Sequence, residues 1–228
     1  RKVIEKGEPV INKEELAINI HGRPYWLLTS KIPLHDSTGK VTGLVGIWSN
    51  ITEQKKSQGE IIRLTNRLNL LTLIIKELSS ARTLEHVISI IKKSARNLLG
   101  ADGFTFILKE NNQCHYIEEE SIKPLWKGQK FPINGCLSGW VMLNRQITII
   151  DDVASNPKTP ADVYAHTFVK SLVITPVNMQ DPVAALEFYW GRKYKPAEQE
   201  IELISTLADA TARAIENVKL YNELEKMV

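Results

Sequence analysis

The sequence predicts an α+β chain in which a short all-strand segment passes through one long helix into a larger mixed region. Three observations carry this. The first 52 residues hold three runs of period-two alternation and no helical periodicity. From Ile61 to Leu78 apolar residues recur at alternating three- and four-residue steps, a heptad-like seam. From Ala101 onwards short alternating runs are interleaved with brief helical stretches, and a last long amphipathic helix follows Pro196.

Residues 12–20, 25–32 and 41–51 read as the three N-terminal strands. They are separated by His21-Gly22-Arg23-Pro24 and by Asp36-Ser37-Thr38-Gly39, whose Asp and Gly suit hairpin turns. The helix follows with no proline at the joint. Its seam is Ile61, Leu64, Leu68, Leu71, Ile75 and Leu78, and a second apolar set, Ile62, Leu70, Leu73 and Ile74, lies beside it. Two sets imply a helix that meets both a partner and its own domain. An unpaired seam would be a large exposed apolar patch, so the expectation is a homodimer through these residues; packing against the chain's own helices is the competing reading. Gly59 within this helix costs roughly 1 kcal/mol relative to alanine.

Residues 84–99 form an amphipathic helix closed by Gly100. Residues 104–109 and 114–119 read as a hairpin around Asn111-Asn112. A short helix over 137–144 and a strand over 147–150 follow, then a loop at 155–160 and strands at 171–177 and 183–190. Pro196 opens the last helix, where its missing N–H costs nothing.

Composition narrows the function. With 43% hydrophobic and 24% charged residues the chain can build a core. Its 29 basic and 26 acidic residues are intermingled, so no basic face for nucleic acid is expected. No apolar run approaches the ~18–20 residues of a membrane span, and no apolar stretch follows Arg1 to make a signal peptide. Cys114 and Cys136 make neither a disulfide framework nor a zinc spacing, which points to a reduced, cytoplasmic setting. The absence of an initial Met and the mid-element ends read as a segment of a longer protein. There is no Gly-rich phosphate loop, His-Glu-x-x-His or nucleophile elbow, so the chain reads as non-enzymatic. Asp151 and Asp152 point to opposite sides of a strand end and suit turn capping rather than shared-proton chemistry. The five His are dispersed, and His166 with Asp162 is at best an i, i+4 pair on a solvated face, so no metal is expected.

Two stretches carry a family resemblance. "INKEELAINIHGRPYWLLTSKIPLHDSTGKVTGLVGIWSNITEQK" resembles the C-terminal half of a PAS sensor domain, through Gly22 with Trp26, the Pro33-Leu34-x-Asp36-x-x-Gly39 turn, Gly43-x-x-Gly46 and the closing Ile51-Thr52-Glu53. Asn50 stands where such domains usually carry Asp. "FPINGCLSGWVMLNRQITIIDDVASNP", "VKSLVITPV" and "PVAALEFYW", followed by the final helix, resemble a GAF domain. The implied organisation is a partial PAS domain over 1–52, a signalling helix over 53–82, a GAF domain over 83–219 and the start of an output helix over 220–228. The resemblance implies a GAF-like antiparallel six-stranded sheet flanked by helices and facing a small-molecule cavity. It also implies a two-component signalling context and a downstream output domain such as a histidine kinase.

The cavity residues implied by the GAF resemblance are Phe104, Phe106, Cys136, Trp140, Tyr164, His166, Phe168, Ser171 and Val173; the same residues could instead fill a closed core. The ligand is unspecified. A covalent bilin is not expected, because the usual attachment cysteine would fall near Thr159-Pro160 and because Cys114 and His115 face opposite sides of a strand. Asn144-Arg145 with Asp151-Asp152 only faintly echoes a cyclic-nucleotide signature. A redox sensor using Cys136 is the remaining cofactor-like alternative.

Overall fold

The computed structural model describes residues 2–157, 159 and 161–227. Two compact units divide between Asn66 and Arg67. The elements in order are α1 (Lys2–Lys6), β1 (Val10–Ile18), β2 (Pro24–His35), β3 (Val41–Asn50), α2 (Thr52–Ser80), α3 (Leu84–Leu99), β4 (Gly103–Glu110), β5 (Gln113–Ser121), β6 (Lys130–Pro132), α4 (Leu137–Asn144), β7 (Thr148–Ile150), α5 (Ala161–Tyr164), β8 (Ser171–Val177), β9 (Ala184–Trp190) and α6 (Glu198–Lys226).

In the first unit β1, β2 and β3 form an antiparallel sheet in sequence order. Asp36 closes the β2–β3 hairpin by accepting from the N–H groups of Thr38 and Lys40. One residue, the buried Ile51, separates β3 from α2. The joint is tied on both sides. Trp26 donates its N–H to Thr52 Oγ1 at 2.8 Å and accepts from the Ile51 N–H at 2.9 Å. Asn50 supplies a neutral oxygen where PAS domains usually carry a carboxylate, and that oxygen accepts the Thr52 N–H. An ion pair is still present here, between Lys55 and Glu14 at 2.6 Å, with the ammonium also over the Trp26 ring.

The second unit is built on a six-stranded antiparallel sheet in the order β6-β5-β4-β9-β8-β7. One face is covered by α3, α6 and the C-terminal half of α2, which bury Ile91, Leu98, Ile204, Leu207, Ile74 and Leu78 against Phe104, Phe106, Leu186 and Phe188. Thr83 caps α3 by accepting the His86 N–H, and Gly100 ends it in the left-handed conformation at φ 62°. Arg67 of α2 and Glu200 of α6 form an ion pair at 2.7 Å. The other face carries α4 and a smaller cluster that includes Trp126, Met142, Tyr164 and Tyr189.

The expected strands and helices are found with shifts of a few residues at their ends, and α3, α4 and β8 begin and end where the sequence placed them. Three short elements, α1, β6 and α5, are additional. Lys158 and Pro160 of the expected loop at 155–160 lie outside the described residues, as does Val228 of the expected output helix.

The helical seam requires a correction. Leu71 and Leu78 are buried in the chain's own core together with Ile74, whereas Ile61, Leu64, Leu68 and Ile75 are 65%, 38%, 48% and 38% exposed. An α-helix has 3.6 residues per turn, so a stripe of period 3.5 drifts around it. Leu71 and Leu78 fall on the core side of that stripe, and the exposed set occupies its other edge.

Helix α4 sits unusually close to the preceding 3₁₀ turn, Ile133–Gly135. A Cβ on Gly139 would lie 1.8 Å from the Ile133 carbonyl oxygen, whereas one on Gly59 would meet nothing within 4 Å. Gly139→Ala should therefore destabilise the protein by roughly 3 kcal/mol, through backbone displacement. Gly59→Ala should instead stabilise it by up to about 1 kcal/mol. Denaturant midpoints of the two variants check both signs.

Candidate ligand site

Every residue of β9 is buried, so its two faces are told apart only by what they meet. Leu186, Phe188 and Trp190 enter the helix-covered core; Ala185 and Tyr189 enter the cluster on the opposite side. Glu187 alternates with the first set and so belongs to the second face, paired across the sheet with Thr105 of β4 and Ile174 of β8. It is fully buried. Ser138, in the first turn of α4, donates its hydroxyl to Glu187 Oε2 at 3.2 Å and lies 2.7 Å from the Tyr116 hydroxyl. Among the described residues Glu187 Oε1, Tyr189 Oη and Thr105 Oγ1 are buried without a hydrogen-bond partner. The Tyr189 hydroxyl lies near both Glu187 and Thr105 without meeting hydrogen-bond geometry with either.

Burial pushes the Glu187 carboxyl up to about 8, with the neighbouring Cys136 adding to the rise. Tyr116, Tyr164 and Tyr189 are all held well above the usual phenol range, first by desolvation and next by the carboxylate beside them. At neutral pH this cluster is therefore a neutral acid among neutral phenols.

Aromatic rings wall the cluster. Trp126 makes edge contacts with Tyr116, Tyr164 and Tyr189 at centroid distances of 5.9, 5.3 and 5.6 Å, and Tyr116 meets Phe131 at 5.3 Å. Trp126 is held in place by Glu119, whose carboxylate accepts the N–H groups of Leu125, Trp126 and Lys127. Between the rings is a cavity of about 20 Å³ lined by Tyr116, Trp126, Phe131, Cys136, Val163 and Tyr164 among others. That is room for one water-sized molecule. A groove of about 410 Å³ adjoins it, running along Val153–Asn156, Val169 and Lys170, and Tyr164 lines both.

Cys136 precedes α4 in extended conformation, with the N–H groups of Ser138 and Gly139 facing its sulfur without completing a cap hydrogen bond. Its side chain packs against the cluster that holds the buried Cys114 thiol. Donation from Cys114, with help from those N–H groups and the Tyr116 hydroxyl, brings Cys136 down to about 7, while Cys114 is driven up.

Of the nine residues expected to surround a ligand, Cys136 and Tyr164 line the cavity, and Trp140 and Phe168 pack against the same cluster. Phe104, Phe106 and Val173 do not: they lie on the helix-covered face. The Ser171 hydroxyl is taken up by the Arg192 carbonyl, and His166 is exposed. The Asp162 side chain lies outside the described residues. Glu187, Tyr116, Ser138, Thr105 and Tyr189 went unmarked. The signal for Glu187 was the single charge in "AALEFYW", which an ordinary buried strand would not carry.

Elsewhere the polar residues have structural roles. Asp152 accepts the Ala154 N–H and pairs with Lys193, and His115 meets Glu110 on the side of β5 away from Cys114. No group of three potential ligands that could hold a metal ion occurs among the described residues, and none of their helices is long and apolar enough to cross a membrane.

The Glu187 carboxyl makes stability depend on pH. Between about 4.5 and about 8 the unfolded chain ionises this group while the folded chain keeps it neutral, so stability falls as pH rises through that window and the slope ends above it. The contribution is bounded by about 1.4 kcal/mol per pH unit. Glu187→Gln should remove this component, seen as a flatter stability profile than wild type between pH 5 and 8 in denaturant titrations.

Two family patterns match the chain: that of the GAF domain over residues 81–216 and that of the PAS fold over residues 1–56. No curated protein matches it by sequence. Among solved structures it resembles the GAF domain of a phosphoenolpyruvate-protein phosphotransferase from Coxiella burnetii, with 17% identity, a TM-score of 0.60, and coverage of 70% of this chain and 98% of that one. Free methionine-R-sulfoxide reductase from Neisseria meningitidis matches with 13% identity and TM-score 0.59, over 69% and 92% of the two chains. A phycoerythrobilin-bound GAF domain of a cyanobacterial phytochrome matches with 20% identity and TM-score 0.58, over 69% and 98%. Identities this low establish a shared fold and leave activity open.

Proposed function

This chain belongs to the GAF domain family, and from that premise we propose that it is the sensory and regulatory segment of a cytoplasmic signalling protein of the two-component type. In this reading the GAF unit binds a small polar molecule at the Glu187 cluster, and helices α2 and α6 pass the change to an output domain such as a histidine kinase. The segment regulates and does not itself catalyse.

The observation that carries the reading is the half-satisfied carboxyl of Glu187, beside the unpartnered hydroxyls of Thr105 and Tyr189, in the core face that borders a cavity. Buried polar groups without partners cost on the order of 1–3 kcal/mol each, a cost a ligand can offset by bonding to them. A ligand larger than water needs the Tyr164 ring to swing out and join the cavity to the adjoining groove. Thermal-shift screening against small polar metabolites tests this. A ligand of the cluster should bind Tyr164→Ala at least as well as wild type and should lose about tenfold or more in affinity on Glu187→Leu, the value of one hydrogen bond to a buried acid. Ligands that bind both variants as they bind wild type would place the site elsewhere.

The exposed stripe of Ile61, Leu64, Leu68 and Ile75 supports a homodimer through α2. Leu64→Asp with Leu68→Asp should convert the dimer to monomer in multi-angle light scattering with the circular dichroism unchanged. A dimer that survives the pair would rule α2 out as the interface. Leu71 is unsuitable for this test because its side chain is part of the core.

A further inference from the structure

The two thiols of the chain are brought together by secondary structure that has no other need of them. Strand β6 pairs with the start of β5, setting Phe131 opposite Cys114, and the Ile133 N–H then bonds to the Asn112 carbonyl at 2.9 Å. The 3₁₀ turn that follows delivers Cys136 to the same side of β5 on which Cys114 and Tyr116 are buried. Two residues further on, Ser138 reaches the Tyr116 hydroxyl. Cys114 is thus a wholly buried thiol in the same cluster as a second thiol that lines a cavity.

We propose that Cys136 and Cys114 form a peroxide-responsive dithiol, oxidised within the GAF unit to an intramolecular disulfide. Access favours a small oxidant: Cys136 is only partly exposed and lines a narrow cavity, so hydrogen peroxide reaches its sulfur more readily than bulkier disulfides and organic hydroperoxides do. The roles of the thiols are set by exposure. Cys136 is partly accessible and Cys114 is buried, so Cys136 meets the oxidant and Cys114 resolves.

The chemistry is balanced by peroxide alone. The Cys136 thiolate attacks one peroxide oxygen, the O–O bond breaks, and the departing hydroxide takes a proton to become water, leaving Cys136 as a sulfenic acid. The Cys114 sulfur then attacks the Cys136 sulfur; the S–S bond forms, the S–O bond breaks, and the hydroxyl leaves with the Cys114 proton as a second water. Two thiols have lost two electrons and two protons, and one peroxide has become two waters. A dithiol reductant reverses the state by thiol–disulfide exchange.

The groups that face Cys136 are suited to the first step. The N–H groups of Ser138 and Gly139 stabilise the thiolate, the Tyr116 hydroxyl is a nearby proton donor, and Glu187 opposes ionisation only once it is itself charged. With Cys136 at about 7, half of it is thiolate at pH 7, against about three parts in a hundred for an unshifted thiol. Intrinsic nucleophilicity falls as the thiol becomes more acidic, so the net gain in rate is only ~3-fold. That makes the pair a stoichiometric sensor rather than a fast peroxidase.

This inference stands apart from the ligand reading, since it needs neither a displaced Tyr164 nor a bond to Glu187. The chain has only two cysteines, so the readout is clean. Reduced protein treated with a small molar excess of hydrogen peroxide at pH 7 should lose both titratable thiols and two hydrogens in intact mass, remain monomeric on non-reducing gels, and recover with dithiothreitol. Its rate should exceed that of N-acetylcysteine ~3-fold and fall as pH drops through about 7. Cys114→Ser, and Cys114→Ala should the serine variant fold poorly, should stop at the sulfenic acid, trapped by dimedone. Cys136→Ser should resist the same treatment. Chain-to-chain disulfides, equal reactivity of the two single variants, or gain of oxygen without an internal disulfide in the wild type would each overturn the proposal.

Discussion

Burial of β9 on both faces is the constraint from which the second unit follows. A strand with water on one side can return its polar residues to it; β9 cannot, because α3, α6 and part of α2 cover one face and α4 with the Trp126 segment covers the other. Glu187 is therefore held where its charge is opposed, and the residues around it have to accommodate a neutral acid. Ser138 does so by donating to it, and Ser138 gets close enough only because α4 packs down on Gly139. The same approach sets Cys136 against the cluster that holds Cys114. One missing Cβ thus sets both the polar cluster and the thiol pair.

The cluster is incompletely satisfied, and its aromatic surroundings explain how the fold tolerates that. Each edge contact among Trp126, Tyr116, Tyr164 and Tyr189 adds about 0.5–1.5 kcal/mol beyond the area it buries, comparable with the cost of leaving a hydroxyl or one carboxyl oxygen unbonded. Those contacts depend in turn on Glu119, which gathers three successive N–H groups and fixes the Trp126 segment over the sheet. A carboxylate at the protein's edge thereby positions the ring that closes a site built around a neutral acid inside.

How much could be read from the sequence follows from how local each signal is. Thr83 and Gly100 mark the ends of α3 because caps act on adjacent backbone, and the hairpin at Asp36 is likewise complete within five residues. The faces of β4, β8 and β9 were not legible in the same way. A strand buried on both sides loses the apolar–polar alternation that tells in from out, so nothing local opposes the ligand face that the GAF resemblance implies for Phe104, Phe106 and Val173, which belong to the other. In β4 and β9 the cross-strand pair Thr105 and Glu187 marks the true phase. The Tyr116–Ser138–Glu187 chain joins residues 22 and 49 positions apart, and no local pattern records such a meeting. The seam of α2 was seen as one stripe because its spacing is regular; its division between core and surface depends on the small mismatch between 3.5 and 3.6 residues per turn.

That division gives the helix a direct relation to the site. Leu71, Ile74 and Leu78 of α2 pack in the cluster that contains Leu186 and Phe188, and Glu187 lies between those two residues on the same strand. A displacement of β9 by a ligand at Glu187, or of β5, two strands away, by a disulfide at Cys114, would act on strands whose reverse side is the seat of the helices. Close packing does not deform smoothly, so such a change resolves into discrete arrangements of the helices on the sheet. The size of the response is limited by how differently the ligand or the disulfide interacts with those arrangements. A site set into the opposite face of the helix-bearing strands needs no longer route than the thickness of one β-sheet.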